Sequence, residues 1–269
     1  MEKAGYMNLL NRVLQGALDN KFDFFGYLAL MPRYPLILVS SVVIMFIAIF
    51  INQAIDLLYL DLCLLYLYVL TSIIYLKKIP RTYQYLLLML MSVLALEIAS
   101  YFMAVIYRNN HPIYHLTVPV QIGVFGLIFR KTLFPKGRNS NYTFLIVCLI
   151  LLSLLNSLFL QDLSTAPSYG MLLLSFFVIT SSLFQFKLML TKPTHKKLTL
   201  RAIFWFCIAS FLFYTLTFVS FGLHAILLED LPQFVFDFIM WFNLVLYFLY
   251  FVAIYLSTKS KPLTNDAVG

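Results

Sequence analysis

The chain has 269 residues, of which 62% are hydrophobic and only 11% charged, and its formal net charge is +8. Soluble domains have about a quarter of their residues charged, so this composition excludes an ordinary soluble core. The basic residues lie in short segments between apolar runs, without the aromatic interleaving of a nucleic-acid-binding surface, which excludes nucleic acid as a partner. A mean hydropathy of +0.90 indicates that lipid is the solvent.

The first element in chain order is a mixed segment over residues 1–33. Apolar side chains between Met7 and Leu18 recur at helical spacing, with Asn11, Arg12 and Gln15 among them. This pattern predicts an amphipathic helix that lies on the membrane surface, and a frayed cytoplasmic tail is the alternative. The remainder divides into a transmembrane domain over 34–257 and a tail over 258–269.

The transmembrane domain is predicted to be an all-α bundle of about eight helices. A bilayer core about 30 Å thick requires roughly 20 apolar residues for each spanning helix. The predicted spans are 34–54, 57–76, 84–107, 115–133, 142–160, 168–190, 201–226 and 233–256. The fourth has the weakest pattern because it contains Pro119, Gly123 and Gly126. Membrane helices tolerate such residues where neighbouring helices cover the freed backbone groups.

The distribution of charge predicts the orientation of the bundle. With eight spans, every one of the 19 Lys and Arg residues except Arg108 lies on the side of the termini. The opposite side carries acidic residues instead, among them Asp56, Asp61 and Asp162. Because cytoplasmic loops are enriched in Lys and Arg, both termini are predicted to be cytoplasmic, in the inner membrane of a bacterium. The three cysteines fall inside spans and form no CxxC motif.

Glu97 is the most informative single residue, because it lies near the middle of the third span. A carboxyl group at that depth must be partnered, protonated or in contact with water, and such residues are by default functional candidates. The alternative is a protonated side chain that donates one structural hydrogen bond. Tyr101 lies one turn above on the same helix. Asn243 lies at a similar depth, roughly 15 Å below the outer end of its span, and either meets Glu97 or bonds a neighbouring helix.

A second group of polar residues lies nearer the outer surface. Pro112 is predicted to begin the fourth span, which places His115 in its first turn and Gln121 deeper in the same helix. His224 lies at the outer end of the seventh span, and Asp237 lies in the first turns of the eighth. These side chains are predicted to line a cavity that opens to the outside. The predicted ligand-binding residues are Glu97, Tyr101, His115, Gln121, His224 and Asn243.

A metal site is the alternative interpretation of the histidines. His111 and His115 have helical i, i+4 spacing, and His224 or Asp237 would add a ligand. However, Pro112 separates His111 from the regular helix, so we predict no metal and no cofactor. The sequence also lacks the zinc-protease, nucleophile-elbow and phosphate-loop motifs.

Several of these residues form a pattern that resembles a known group of proteins. The pattern consists of Phe204-Trp205, Tyr214, Phe218, Gly222, Trp241, Asn243 and Tyr247, together with Glu97, Asn109-Asn110, Tyr114 and Pro119. It resembles bacterial multi-span membrane proteins of the kind that form seven- or eight-helix sensor modules in front of histidine kinases. In those proteins a carboxylate often follows the proline of the fourth span, whereas this chain has Gln121 there, so shared acid chemistry is not implied.

The resemblance implies a sensor-like or accessory signalling protein. It would bind a small or lipid-like ligand from the outer side and act through a separate signalling partner, with membrane lipid around it. Two alternatives remain open from the residues themselves, and both use Glu97. One is an intramembrane lipid-modifying enzyme, and the other is a proton-coupled carrier.

Overall fold

The computed structural model describes residues 57–134, 139–191, 197–227 and 233–259, and these residues fold into seven α-helices. Their bounds are α1 Leu57–Ile74, α2 Arg81–Tyr107, α3 His111–Leu133, α4 Ser140–Leu155, α5 Ser168–Thr191, α6 Ala202–Leu227 and α7 Gln233–Lys259. The predicted surface helix, the first predicted span and the tail beyond Lys259 lie outside the described residues.

The described helices confirm a multi-pass helical membrane protein. Six of them, α2 to α7, are long and apolar enough to cross a membrane, whereas the apolar part of α1 is the shorter stretch Asp61–Ile74. Each of the predicted spans from the second to the eighth coincides with one helix, including the fourth, whose Pro119 is buried inside α3. The total of eight spans stays a prediction.

Local sequence explains where several helices begin and end. Pro80 precedes the first residue of α2, and Pro112 occupies the first turn of α3. Backbone N–H groups in the first turn have no acceptor within the helix, so a proline there costs no hydrogen bond. The Asn139 side chain caps α4 by accepting a hydrogen bond from the backbone N–H of Tyr142, at 3.2 Å. At its far end α4 widens into a π-helix over Asn156–Leu160.

Six of the seven described helices close into a ring that follows chain order and leaves out α4. The neighbours around it are α1, α2, α3, α5, α6 and α7, with α7 returning to α1 and also contacting α2. Helix α4 packs mainly on α3, outside the ring, and exposes Phe144, Leu151 and Leu152. Because lipid is as apolar as these side chains, their exposure is expected in a membrane.

The core of the ring is aromatic. Phe125 and Phe129 of α3 are fully buried, as are Phe206 of α6 and Tyr250 of α7. The ring centroids of Phe125 and Phe206 are 5.9 Å apart, and those of Phe206 and Tyr250 are 5.4 Å apart. Offset and tilted pairs at such distances add to the packing energy of the buried area itself. The aromatic layer therefore joins α3 to α6 and α7, which lie about 70 or more residues further along the chain.

The bundle has two chemically different ends. One carries the α2–α3 and α4–α5 connections, which are linked by a hydrogen bond from the Asn109 side chain to the carbonyl of Ser164, at 3.3 Å. We call this the histidine end, because α3 begins there with His111. The other, the basic end, contains the start of α2 and the start of α6, where Tyr83 contacts the backbone of Ile203 and interacts with Arg201.

The positive charge at the basic end predicts a cytoplasmic C-terminus. A reporter active only in the cytoplasm, fused after Gly269, is expected to be active, because cytoplasmic segments retain Lys and Arg. The same reporter fused after Leu163, in the connection at the histidine end, is expected to be inactive. Activity of the Leu163 fusion and inactivity of the Gly269 fusion would reverse the orientation.

Candidate functional site

Two carboxyl groups of the bundle, on α1 and α2, lie within electrostatic range of each other. Asp61 of α1 is only 4% exposed, and its Oδ1 atom has no hydrogen-bond partner among the described residues. Its charged neighbour is Glu97 of α2, which is half-buried and within electrostatic range. No basic side chain of the described residues acts on either carboxyl. Two acids without a countercharge are costly in an apolar environment, so this arrangement is the strongest candidate for a functional site.

Helix α3 contributes hydroxyl and amide groups to the same site. Tyr114 interacts electrostatically with both carboxyls, and its hydroxyl is hydrogen-bonded to the side chain of Ser100. The Asn110 amide donates a second hydrogen bond to the Ser100 hydroxyl, at 3.1 Å. Asn110 and Tyr114 are half-buried, whereas Ser100 is buried. A polar route therefore runs from the histidine end to the carboxyl pair.

On the opposite side, α7 connects the carboxyl pair to the centre of the bundle. Tyr247 is buried and interacts with Asp61, with Glu97 and with Tyr214 of α6. The Tyr214 hydroxyl donates a hydrogen bond to Oε1 of Gln121, at 3.1 Å. Gln121 therefore satisfies a buried hydroxyl of another helix, as polar side chains in membrane bundles commonly do.

The line of hydroxyl groups continues beyond Tyr214 toward the basic end. Tyr250 interacts electrostatically with Tyr214, and its hydroxyl lies 2.8 Å from the Ser210 hydroxyl. Ser210 in turn donates to the backbone carbonyl of Phe206, also at 2.8 Å. Buried polar groups connected in this way reach across the aromatic core and connect α7 to α6.

His115 belongs to a separate network, on the α4 side of α3. It is 3% exposed, with Nδ1 2.9 Å from the Ser157 hydroxyl and Nε2 3.0 Å from the carbonyl of Thr165. A carbonyl only accepts, so Nε2 carries a proton and donates to Thr165. In the neutral ring Nδ1 is an acceptor, and it shares the single Ser157 hydroxyl proton with the carbonyl of Ser153, 3.1 Å from that hydroxyl. His115 thus attaches the α4–α5 connection to α3 through hydrogen bonds.

The α4–α5 connection has further polar ties of its own. The backbone N–H of Ser164 donates to Oδ1 of Asp162, at 2.8 Å, and this hydrogen bond lowers the pKa of the Asp162 carboxyl. The Asn156 amide donates to Oε1 of Gln161, also at 2.8 Å. These short-range bonds define the conformation of the connection, and His115 supplies a long-range attachment.

The fastening role of His115 predicts a local effect of its removal. His115→Ala removes both ring bonds and leaves the Thr165 carbonyl without its histidine donor, so the connection should open more readily by about 1–3 kcal/mol. Amide hydrogen exchange over residues 161–167 is expected to accelerate by about fivefold or more, while exchange in α6 is unchanged.

Ser157→Ala is the matched control for His115→Ala, because it removes the Nδ1 contact, together with the bond from Ser157 to the carbonyl of Ser153, and leaves the His115 bond to Thr165. It should produce a smaller acceleration at the same amides. If His115→Ala leaves exchange in the connection unaltered, His115 does not fasten it.

The structure divides the residues that the sequence assigns to one cavity. Glu97 lies at the carboxyl pair, Gln121 at the centre of the bundle and His115 at the α4–α5 connection. Tyr101 is 37% exposed on α2, with its ring edge-on to Phe102. Asn243 is half-buried on α7, one turn before Tyr247. His224 lies in α6, and its side chain is outside the described part of the chain. The assignment of these residues to ligand binding stays a prediction.

Asp61 is not among the ligand-binding residues that the sequence predicts. The sequence places it on the acidic outer side of the bundle, because it lies close to the start of its span. The available signal was its position inside an uninterrupted apolar run, Leu57–Ile74, in which it is the one charged residue. An acid in such a run is a functional candidate for the same reason as Glu97.

Comparison with known proteins adds no relative: no family model, no curated protein and no solved structure matches the chain. Within the described residues, no group of three or more His, Cys, Asp or Glu side chains is arranged to hold a metal ion. The functional assignment therefore rests on the arrangement of the carboxyl pair and its hydroxyl neighbours.

Proposed function

We propose that this multi-pass membrane protein is a sensor-like or accessory signalling protein that binds a small or lipid-like ligand at the carboxyl pair. The observation that carries the proposal is Asp61, a buried carboxyl with an unpartnered oxygen, opposite Glu97 and without a basic partner among the described residues. Groups retained at a cost to stability are more often functional than structural.

Access from the outer side is the second part of the proposal. Asn110 and Tyr114 are half-buried and lead from the histidine end to Glu97. The positive charge of the opposite end supports an outward-facing histidine end. Because α7 contacts α1, α2 and α6, a ligand that moves α7 would alter helix packing down to the basic end, where a signalling partner in the cytoplasm would detect it.

Access is tested by chemical labelling of a cysteine placed at the site. Ser100→Cys is nearly isosteric, and it is made after Cys63, Cys148 and Cys207 have been replaced by alanine. A membrane-impermeant, positively charged thiol reagent added to the outside of intact cells is expected to modify it. Phe102→Cys, which lies on the exposed face of the same helix, is the control. A thiol facing lipid does not ionise readily and should react at least about tenfold more slowly.

The outcomes of the labelling experiment are distinct. Faster labelling of Ser100→Cys from the outside supports the proposal, and Tyr114→Cys provides the same measurement from α3. Labelling only from the cytoplasmic side would overturn outer access. No labelling of either variant from either side would overturn a ligand site at this position.

A proton-coupled carrier is the second candidate, and the line of hydroxyl groups favours it. Tyr247, Tyr214 and Tyr250 connect the carboxyl pair with Ser210 across the bundle. In vesicles loaded with a pH-sensitive dye, a carrier would produce proton flux that Glu97→Gln abolishes. The absence of proton flux from such vesicles would exclude the carrier and favour the sensor-like function. The lipid-modifying enzyme stays a prediction from the sequence.

A further inference from the structure

No Lys or Arg side chain of the described residues acts on the carboxyl pair, and this favours a ligand that brings its own positive charge. Among the described residues, the basic side chain at the histidine end is Arg108, an exposed residue that acts on neither Asp61 nor Glu97. A buried carboxylate is stable only when it is paired, and two neighbouring carboxyls cannot both ionise without strong repulsion. In the state with one carboxyl protonated and the other ionised, the pair carries a single negative charge, which a monovalent cation would compensate.

We infer that the ligand bound at this pair is an organic ammonium ion, held by Asp61 and Glu97 and flanked by Tyr114 and Tyr247. The inference rests on the proposed function and names the chemical class of its ligand. An ammonium group supplies the missing positive charge. Its N–H groups also donate short, charge-assisted hydrogen bonds, for which the unpartnered Oδ1 of Asp61 is available.

The groups around the pair favour an ammonium ion over an inorganic cation. Calcium takes six to eight oxygen ligands, and zinc usually takes four nitrogen, sulfur or oxygen ligands. The described residues offer no set of three acidic, His or Cys ligands. Tyr114 and Tyr247 instead supply aromatic rings, which attract ammonium groups through their negative faces. Their hydroxyls also provide acceptors for N–H donors.

The ammonium group has two possible sources with the same chemistry. One is a soluble alkylamine from outside the cell, and the other is the headgroup of an aminophospholipid in the outer leaflet. Both reach the pair past Asn110 and Tyr114. The lipid composition of the test membrane distinguishes them.

The test measures thermal unfolding of the full chain in nanodiscs of phosphatidylglycerol, which contain no amine. n-Butylammonium chloride is expected to raise the unfolding temperature in a saturable manner, because a ligand that binds only the folded state stabilises it. n-Butanol and sodium chloride at matched concentration are the neutral and inorganic controls. Glu97→Gln and Asp61→Asn are each expected to weaken the apparent affinity at least about tenfold. Asp162→Asn, which removes an exposed acid at the same end, should leave it unchanged.

A second nanodisc series contains phosphatidylethanolamine and no added amine. Stabilisation there that depends on Glu97 identifies the lipid headgroup as the source, and its absence together with a butylammonium effect identifies a soluble amine. An equal shift with sodium chloride, or no shift in either series, would overturn the inference. The titratable neighbours of Asp61 and Glu97 are Tyr114 and Tyr247. If acidification alone stabilises the chain, and does so through Asp61 and Glu97, the bound ion is a proton and the ammonium inference is overturned.

Failure of this inference is distinguishable from failure of the proposed function. If Ser100→Cys is labelled from the outside but no amine stabilises the chain, only the ammonium class is wrong. If neither Ser100→Cys nor Tyr114→Cys is labelled, the ligand site itself is wrong.

Discussion

Replacing Gly126 with alanine should destabilise the bundle by about 1–3 kcal/mol, the usual range for overpacking a close contact. Gly126 is buried in α3 where α4 crosses it. A Cβ atom there would lie 2.7 Å from Cγ1, 2.8 Å from Cδ1 and 2.9 Å from Cγ2 of Ile146. Isoleucine is stiff at χ1, so two of these three atoms cannot move without moving the backbone of α4.

The expected result is a lower unfolding temperature in detergent and faster amide exchange in α4. Small residues allow membrane helices to approach closely, and α4 has few other contacts, since it packs mainly on α3. Gly123→Ala is the matched control, because a Cβ atom there would lie 3.6 Å from Cδ1 of Ile150, an ordinary contact. Gly126→Ala should cost less stability in an Ile146→Ala background than in the natural chain, because the clashing atoms are absent there. Equal effects of the two glycine substitutions would show that the close contact does not matter.

Replacing Asp61 with asparagine has the opposite expected effect on stability. At neutral pH the buried carboxyl either stays charged beside Glu97 or takes up a proton. Protonation costs about 1.4 kcal/mol for each unit by which the pH exceeds the solution pKa of an aspartic acid. Asparagine has nearly the same shape and no charge, so it removes either cost. We expect Asp61→Asn to stabilise the chain by about 1–3 kcal/mol while ligand binding is lost.

Glu97→Gln is expected to preserve the fold and lose the ligand response, with a smaller gain in stability because Glu97 is less buried. Thermal unfolding measured with and without n-butylammonium gives both quantities on the same samples, and Asp162→Asn is the control for a general charge effect. A large loss of stability in Asp61→Asn would contradict a functional role and make Asp61 a structural residue whose partner needs a charge. An unaltered response in both variants would show that the pair is dispensable.

The amino-acid sequence alone determined that the solvent of this chain is lipid and where its helices run. An apolar run that is long enough to cross a bilayer must be helical, because no other open structure satisfies its own backbone there. This rule predicted α2 to α7 to within a few residues, including α3 with Pro119 in its interior. The local signal at Pro112 also indicated a helix start, because the preference of proline for the first turn depends only on neighbours in sequence.

Only the tertiary structure decided which residues meet. A helix that is apolar on every side gives no pattern to indicate which face is buried, since lipid and protein neighbours are equally apolar. The sequence therefore could not show that the Tyr101 side chain is 37% exposed, or that Gln121 accepts a hydrogen bond from Tyr214 of α6. Asp61 lies near Glu97 because α1 packs directly against α2, and α7 contacts both helices and closes the ring. That closure of the ring depends on contacts between residues almost 200 positions apart, which no local pattern records.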